Sequence, residues 1–152
     1  MSLEDDIKAK GFPSMEEKTY VNLIFTAFQL ESRFNQFIKS YELSTEQYKV
    51  LRILRGQYPE QILSGDIQAH MLKAMSNSTR LVDKLVEKNL VDRTASPDDK
   101  RQIMVRITQQ GLDLLISLDL KVANLFKDMI KSDKAHLIQL NGLLDEMRDL
   151  SS

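Results

Sequence analysis

From Met15 to Lys39 the chain runs without Pro or Gly, with apolar residues at Tyr20, Leu23, Ile24, Phe28, Phe34, Phe37 and Ile38, mostly three, four or seven apart. That period predicts a long amphipathic helix. Ser44-Thr45-Glu46-Gln47 has the form of a capping box, in which the Ser hydroxyl and the Gln side chain satisfy orphan backbone amides reciprocally. A second helix is expected to start there, to bury Tyr48, Leu51 and Leu54, and to stop at Gly56 in a left-handed conformation. After Pro59, Gln61-Ile62-Leu63 reads as a small strand.

Ser64 is placed to cap a short helix from Gly65 to Leu72, with Asp66 in the first turn where a carboxylate complements the helix dipole. A turn at Lys73-Ala74-Met75 leads to a helix from Ser76 to Lys88 that buries Leu81, Val82 and Leu85, and Asn89 can adopt the left-handed conformation that ends it. Two short helices joined in this way form a helix-turn-helix. The period then changes to two: Leu90–Ala95 and Gln102–Ile107 alternate as half-buried strands do, around the polar loop Ser96-Pro97-Asp98-Asp99-Lys100-Arg101. An antiparallel hairpin with a charged tip is expected.

Thr108 caps the next segment, which continues to Lys131 with Leu115, Leu118, Val122, Leu125 and Met129 at alternating spacings of three and four. After Ser132-Asp133, the last helix carries Leu137, Leu140, Leu144 and Met147 in the same rhythm. Both stripes are coiled-coil-like seams that need a partner surface. A helical hairpin within the chain would supply one; a two-fold homodimer covers the stripes of the N-terminal and C-terminal helices together. The expected fold is mainly α with a small β-hairpin (α+β), one domain over 1–152. A winged helix-turn-helix lobe at 44–107, with the helix-turn-helix at about 64–88 and the wing at 90–107, is flanked by dimerisation helices at 15–39 and 108–150.

Composition narrows the function. The 152 residues are 42% hydrophobic and 28% charged, enough apolar content for a packed core, and contain no Cys. Disorder, a disulfide framework, thiol catalysis, cysteine-based redox sensing and thiolate metal sites are therefore set aside. The start, Met1-Ser2-Leu3-Glu4-Asp5-Asp6, is acidic where a secretory signal needs positive charge, and the apolar stretch Leu112–Leu120 is far too short to span a bilayer. A soluble, cytoplasmic protein without membrane contact is expected. No G-x-S-x-G, P-loop, H-E-x-x-H or G-x-G-x-x-G pattern occurs, so catalysis is not expected. His70 and His136 are isolated and imply neither metal nor cofactor.

The net charge of −1 conceals an uneven distribution. Residues 73–106 hold eight basic side chains against five acidic, a local +3 that leaves −4 for the remainder. That is the footprint of a surface meeting phosphates. The helix after the turn presents Ser76, Asn77, Ser78, Thr79 and Arg80 at its start and Lys84 further along. Arg reads guanine, Asn reads adenine, and hydroxyls serve bases or phosphates in the major groove. Arg93, Lys100, Arg101 and Arg106 lie on or beside the hairpin, where a basic tip suits the minor groove. A winged helix that binds protein instead is the alternative; its surface should carry exposed aromatic or aliphatic residues rather than these.

Four segments together resemble the MarR family of bacterial winged helix-turn-helix transcriptional regulators: Ser76 to Leu85, Leu90-Val91-Asp92-Arg93, Ser96 to Arg101, and Thr108-Gln109-Gln110-Gly111. The resemblance extends from about Glu16 to Leu150. It implies a homodimer with interlocked terminal helices, binding a pseudo-palindromic double-stranded DNA operator as a ligand-responsive repressor. It implies base and phosphate contacts from Ser76, Asn77, Ser78, Thr79, Arg80, Lys84, Lys100 and Arg101, with Arg101 entering the minor groove, Asp99 orienting a neighbouring Arg, and Arg93 supporting the wing. It also implies a small aromatic or anionic effector bound between the dimerisation helices and the lobe. Phe28, Phe34, Tyr41, Tyr48 and Arg52 are on helices that could line such a crevice, without any one being assigned to a ligand. Lys100 stands where many relatives have Arg, keeping charge but losing the planar fork.

Overall fold

Ser2 opens a short helix, α1 (Leu3–Ile7), through a capping box with Asp5. Hydrophobic period does not announce so short an element; the S-x-x-D spacing is the only local signal for it. The computed structural model describes residues 2–71 and 78–149, and the chain divides into two units, residues 1–117 and 118–152.

In the first unit, α2 (Met15–Lys39) begins at Ser14, whose hydroxyl accepts the Glu17 amide at 3.1 Å. Lys18 pairs with Glu4 at 2.5 Å, which fastens α1 to α2 and holds the Glu4 carboxyl below its ordinary pKa, chiefly by that side-chain hydrogen bond. Of the α2 apolar residues only Phe34 and Ile38 are buried; Tyr20, Leu23, Ile24 and Phe28 are exposed. The periodicity is real, yet most of the stripe is uncovered by its own chain.

α3 (Thr45–Gln57) starts at the Ser44 capping box: the Gln47 amide donates to the Ser44 hydroxyl at 3.1 Å, and the Ser44 amide donates to Gln47 Oε1 at 3.0 Å. Tyr48, Leu51 and Leu54 are buried. Gly56, expected as the left-handed stop, is instead an ordinary helical residue; the helix ends at Tyr58 with φ −58°. A turn in which the Glu60 amide donates to the Gln57 carbonyl at 2.8 Å closes the end, so no left-handed residue is required. β1 (Ile62–Leu63) follows.

The segment expected to be α-helical from Gly65 to Leu72 is a 3₁₀ helix, Ser64–His70. Among its described side chains Ile67 is fully buried, and 3₁₀ geometry is common in short connecting helices of this kind. Leu72 and the turn at Lys73-Ala74-Met75 lie outside the described residues. α4 (Ser78–Glu87) packs on the 3₁₀ helix, α3 and β2, burying Val82 and Leu85. Asn89 is left-handed at φ 57°, with the Leu90 amide reaching back to the Leu85 carbonyl at 3.0 Å, a Schellman-type end.

β2 (Val91–Ala95) and β3 (Ile103–Ile107) form the hairpin, and β1 adds to β3, giving the antiparallel order β1-β3-β2. Val91 faces Ile107 and Arg93 faces Val105. Val105 and Ile107 are buried, whereas Ile103, nearest the tip, is 41% exposed because the hairpin has by then left the core.

α5 (Gln109–Met129) is divided between the two units. Thr108 opens it: the Gly111 amide donates to the Thr108 hydroxyl at 3.0 Å, and that hydroxyl donates to the Asn89 carbonyl at 2.8 Å. This seats the first turn so tightly on the start of β2 that a Cβ at Gly111 would lie 2.5 Å from the Leu90 carbonyl oxygen and 2.7 Å from Ile107 Cγ1. Gly111→Ala is expected to destabilise the fold by about 1–3 kcal/mol from overpacking. The better helix propensity of Ala recovers only about 1 kcal/mol. Denaturant unfolding should show a lower midpoint at unchanged m.

In the second unit, α5 buries Leu118 and Val122, and α6 (Lys134–Asp149) starts where Asp133 accepts the His136 amide at 2.9 Å. No described α6 residue is buried. Of the expected seam, Leu137 and Leu144 are half-buried, while Leu140 and Met147 are exposed.

Candidate nucleic-acid interface

Two elements of the first unit carry the candidate residues. On α4, Thr79, Arg80 and Lys84 are exposed, opposite the buried Val82 and Leu85. Ser78 is the first residue of that helix, while Ser76 and Asn77 lie outside the described residues.

On the wing, the loop is pinned at its base by the Ser96 amide donating to the Gln102 carbonyl at 2.9 Å, with Ser96 itself buried. At the tip, Asp99 holds Arg101 at three points. Its Oδ1 accepts the Arg101 amide at 3.0 Å and Nε at 3.2 Å, and its Oδ2 accepts Nη2 at 3.3 Å. The Arg101 side-chain hydrogen bond, and then its backbone amide, keep the Asp99 carboxyl below its ordinary pKa. The clamp is therefore intact above the ordinary carboxylate range, and is lost only as pH falls through that lowered value. The Arg101 side chain stays 91% exposed. A guanidinium that is both solvent-facing and held in one geometry has already lost much of the rotamer freedom that binding an anion would otherwise cost.

Further down the hairpin, Arg93 pairs with Asp83 of α4, tying β2 to that helix. Arg106 lies 3.9 Å from Asp92, its partner across the ladder. Both pairs are largely solvated, so each contributes little to stability. What they change is the charge available to a partner. Lys88 donates to the Glu42 carbonyl. Of the eight cations in the basic segment, Lys88, Arg93, Arg101 and Arg106 thus have internal acceptors. Arg80, Lys84 and Lys100 are exposed with no acceptor among the described residues, and Lys73 is outside them.

A concavity of about 250 Å³ opens between α2 and α3, lined by Phe28, Glu31, Ser32, Asn35, Thr45 and Glu46. Of the aromatics anticipated near such a crevice, only Phe28 lines it. Phe34 and Tyr48 pack on each other with ring centroids 5.4 Å apart, Phe37 and Tyr41 do so at 5.3 Å, and Arg52 donates to the Tyr48 hydroxyl at 3.1 Å. Among the described residues no His and carboxylate groups cluster as a metal site, and no helix is long and apolar enough to cross a membrane.

Comparison with known proteins matches residues 43–103 to the MarR family. The chain is 30% identical over 111 residues to the HTH-type transcriptional repressor IacR of Pseudomonas putida, a match covering 72% of this chain and 65% of that protein. It is 32% identical over 100 residues to the HTH-type transcriptional regulator MhqR of Bacillus subtilis, covering 64% and 66% respectively. The matched segment thus spans just under two thirds of each of these relatives. Among solved structures, a mutant MarR from E. coli complexed with operator DNA has the same fold, with TM-score 0.73, 20% identity, and coverage of 97% of this chain and 99% of that one.

Proposed function

We propose that this chain is a member of the MarR family and a sequence-specific DNA-binding transcriptional regulator, acting as a homodimeric repressor on a pseudo-palindromic operator. The observation that carries this reading is the wing tip: a clamped, 91% exposed Arg101 beside the exposed Lys100. With them act Thr79, Arg80 and Lys84 on α4, the helix to which Arg93 ties the wing. Ser78, the first residue of that helix, and Ser76 and Asn77, which precede it in sequence, complete the proposed contact set. In this reading residues 44–107 are the DNA-binding lobe, and 15–39 and 108–150 supply the dimer contacts. Arg80 reads bases, Lys84 and Lys100 neutralise phosphates, and Arg101 enters the minor groove with Asp99 fixing its orientation. For a small effector, an aromatic guest fits the α2–α3 concavity beside Phe28 better than an anion does, because Glu31 and Glu46 line it as well. The relatives' names as regulators and the absence of catalytic motifs both speak against an enzyme.

Selection of bound fragments from a genomic library should enrich an inverted repeat with half-sites about one helical turn apart. Failure to enrich any sequence would refute the proposal. On that operator, Arg101→Ala is expected to weaken binding by about tenfold, the weight of one charge-assisted contact. Asp99→Asn should act differently: it frees Arg101 and removes a negative charge near the phosphates. Affinity for random DNA should then rise while operator affinity falls, shrinking the ratio of the two measured at one salt concentration.

A further inference from the structure

We propose that Lys88 is a positioning residue that fixes the C-terminal end of α4 against the junction of α2 and α3, rather than a phosphate contact of the basic face. Sequence spacing places Lys88 on the polar side of α4 with Lys84, one turn earlier, and its charge belongs to the same basic segment. The structure turns it, half-buried, toward the junction of α2 and α3. Its ammonium donates to the Glu42 carbonyl, in the loop between α2 and α3, and lies 3.5 Å from Gln47 Oε1.

Both acceptors are already fixed in place. Glu42 is left-handed at φ 58°, which orients its carbonyl within the turn. Gln47 is buried and is the return half of the capping box that starts α3. Its neighbour Thr45, also buried, donates to Asn35 Oδ1 of α2 at 3.4 Å. One ammonium thus joins the last turn of α4 to the first turn of α3, and through Thr45 to α2. A lysine suits this position because three donors on a compact head can serve a carbonyl and an amide oxygen at once. It sits where cation and helix C-terminus attract, so it also complements the Schellman end at Asn89. The consequence for recognition is geometric. α4 is anchored at one end by this junction and along its side by Asp83–Arg93, and loosening the first contact changes how its opposite end meets bases without removing any group that touches DNA.

The inference rests on the DNA-binding reading for its effect on affinity but not for the contact itself, and two readouts separate them. The first needs no DNA. In the full-length Lys88→Met protein, amide exchange should quicken both in the last turn of α4 and in the first turn of α3, and Lys88→Arg should restore much of the protection. Unchanged exchange at the start of α3 would overturn the proposal.

The second readout is the salt dependence of operator binding. Lys88→Met should lose about two- to tenfold in affinity, the weight of one or two hydrogen bonds. The slope of log affinity against log salt should stay unaltered. Lys84→Ala, the control on the same helix, should lower that slope by about 0.9, the share of one phosphate. A slope change in Lys88→Met equal to that of Lys84→Ala would make Lys88 a phosphate contact and overturn the proposal. So would operator affinity equal to the unmodified protein. If the unmodified protein enriches no operator, the DNA-binding reading fails alone, and the exchange result still decides the role of Lys88.

Discussion

Replacing Arg80 by Ala is expected to lower operator affinity by about one to two orders of magnitude and to relax base preference at one position of each half-site. The expectation follows from what surrounds the side chain. Arg80 is exposed on the first described turn of α4, with no acceptor among the described residues to compete for its fork. Unlike Arg93 and Arg106, it need not break an internal ion pair before engaging a base. A bidentate base contact discriminates by about 1–3 kcal/mol, whereas a phosphate contact weakens all sequences alike. Titrating the variant against the operator and single-base substitutions of it distinguishes the two. Uniform loss across all sequences would assign Arg80 to the backbone, and unchanged affinity would remove it from the interface. Because the side chain is solvent-exposed, thermal unfolding should be unaffected.

Internal acceptors decide which cations of the basic segment are left to meet phosphates. The local excess of +3 in residues 73–106 already subtracts Asp83, Asp92 and Asp99, so pairing leaves the sum unchanged but not its placement. Four of the eight are engaged within the protein, so the salt dependence should report the remaining ones and the partly engaged Arg101. This distinction is invisible in sequence, because Asp83 meets Arg93 and Glu42 meets Lys88 only after the chain has folded.

What can be read in advance follows the range of the interactions involved. The capping box at Ser44, the left-handed Asn89, the Thr108 cap and the hairpin pairing are each decided within a few residues, and the structure has all four; the half-buried alternation holds on β3 but not on β2, where only Val91 is buried. Gly56 misleads for the complementary reason: glycine permits a left-handed end without requiring one, and the turn at Tyr58 makes it unnecessary. The 3₁₀ helix packs on α3, α4, β1 and β3, a tertiary setting that no local pattern records. Gly111 stands in a first helical turn where no local signal calls for glycine, and the approach of the Leu90 carbonyl and Ile107 gives it a reason. At the candidate site, residue types and spacing single out the exposed cations. The orientation of Lys88 needs a partner 46 residues away.

The terminal helices bear the largest expected effect. Converting Leu140 and Leu143 of α6 to Asp should turn the proposed dimer into a monomer and lower operator affinity by about two to four orders of magnitude, because the second half-site is then no longer bound at the effective concentration a dimer provides. Leu140 is 49% exposed and Leu143 50% exposed, and with Met147 at 45% they form an uncovered stripe at spacings of three and four. Tyr20, Ile24 and Phe28 on α2 are 58–67% exposed. Isolated exposed apolar residues are ordinary, but stripes recurring at helical period on the segments flanking the lobe are the mark of a surface buried elsewhere. Since neither leucine is buried within the chain, the substitutions remove little of its internal core, and the monomer should retain the far-ultraviolet helical signal of the lobe. Sedimentation at micromolar concentration reads the association directly. A doubly substituted protein that still sediments as a dimer would move the interface off this face of α6. A monomer that keeps full operator affinity would mean that each lobe binds its half-site alone, leaving the pseudo-palindrome without a role.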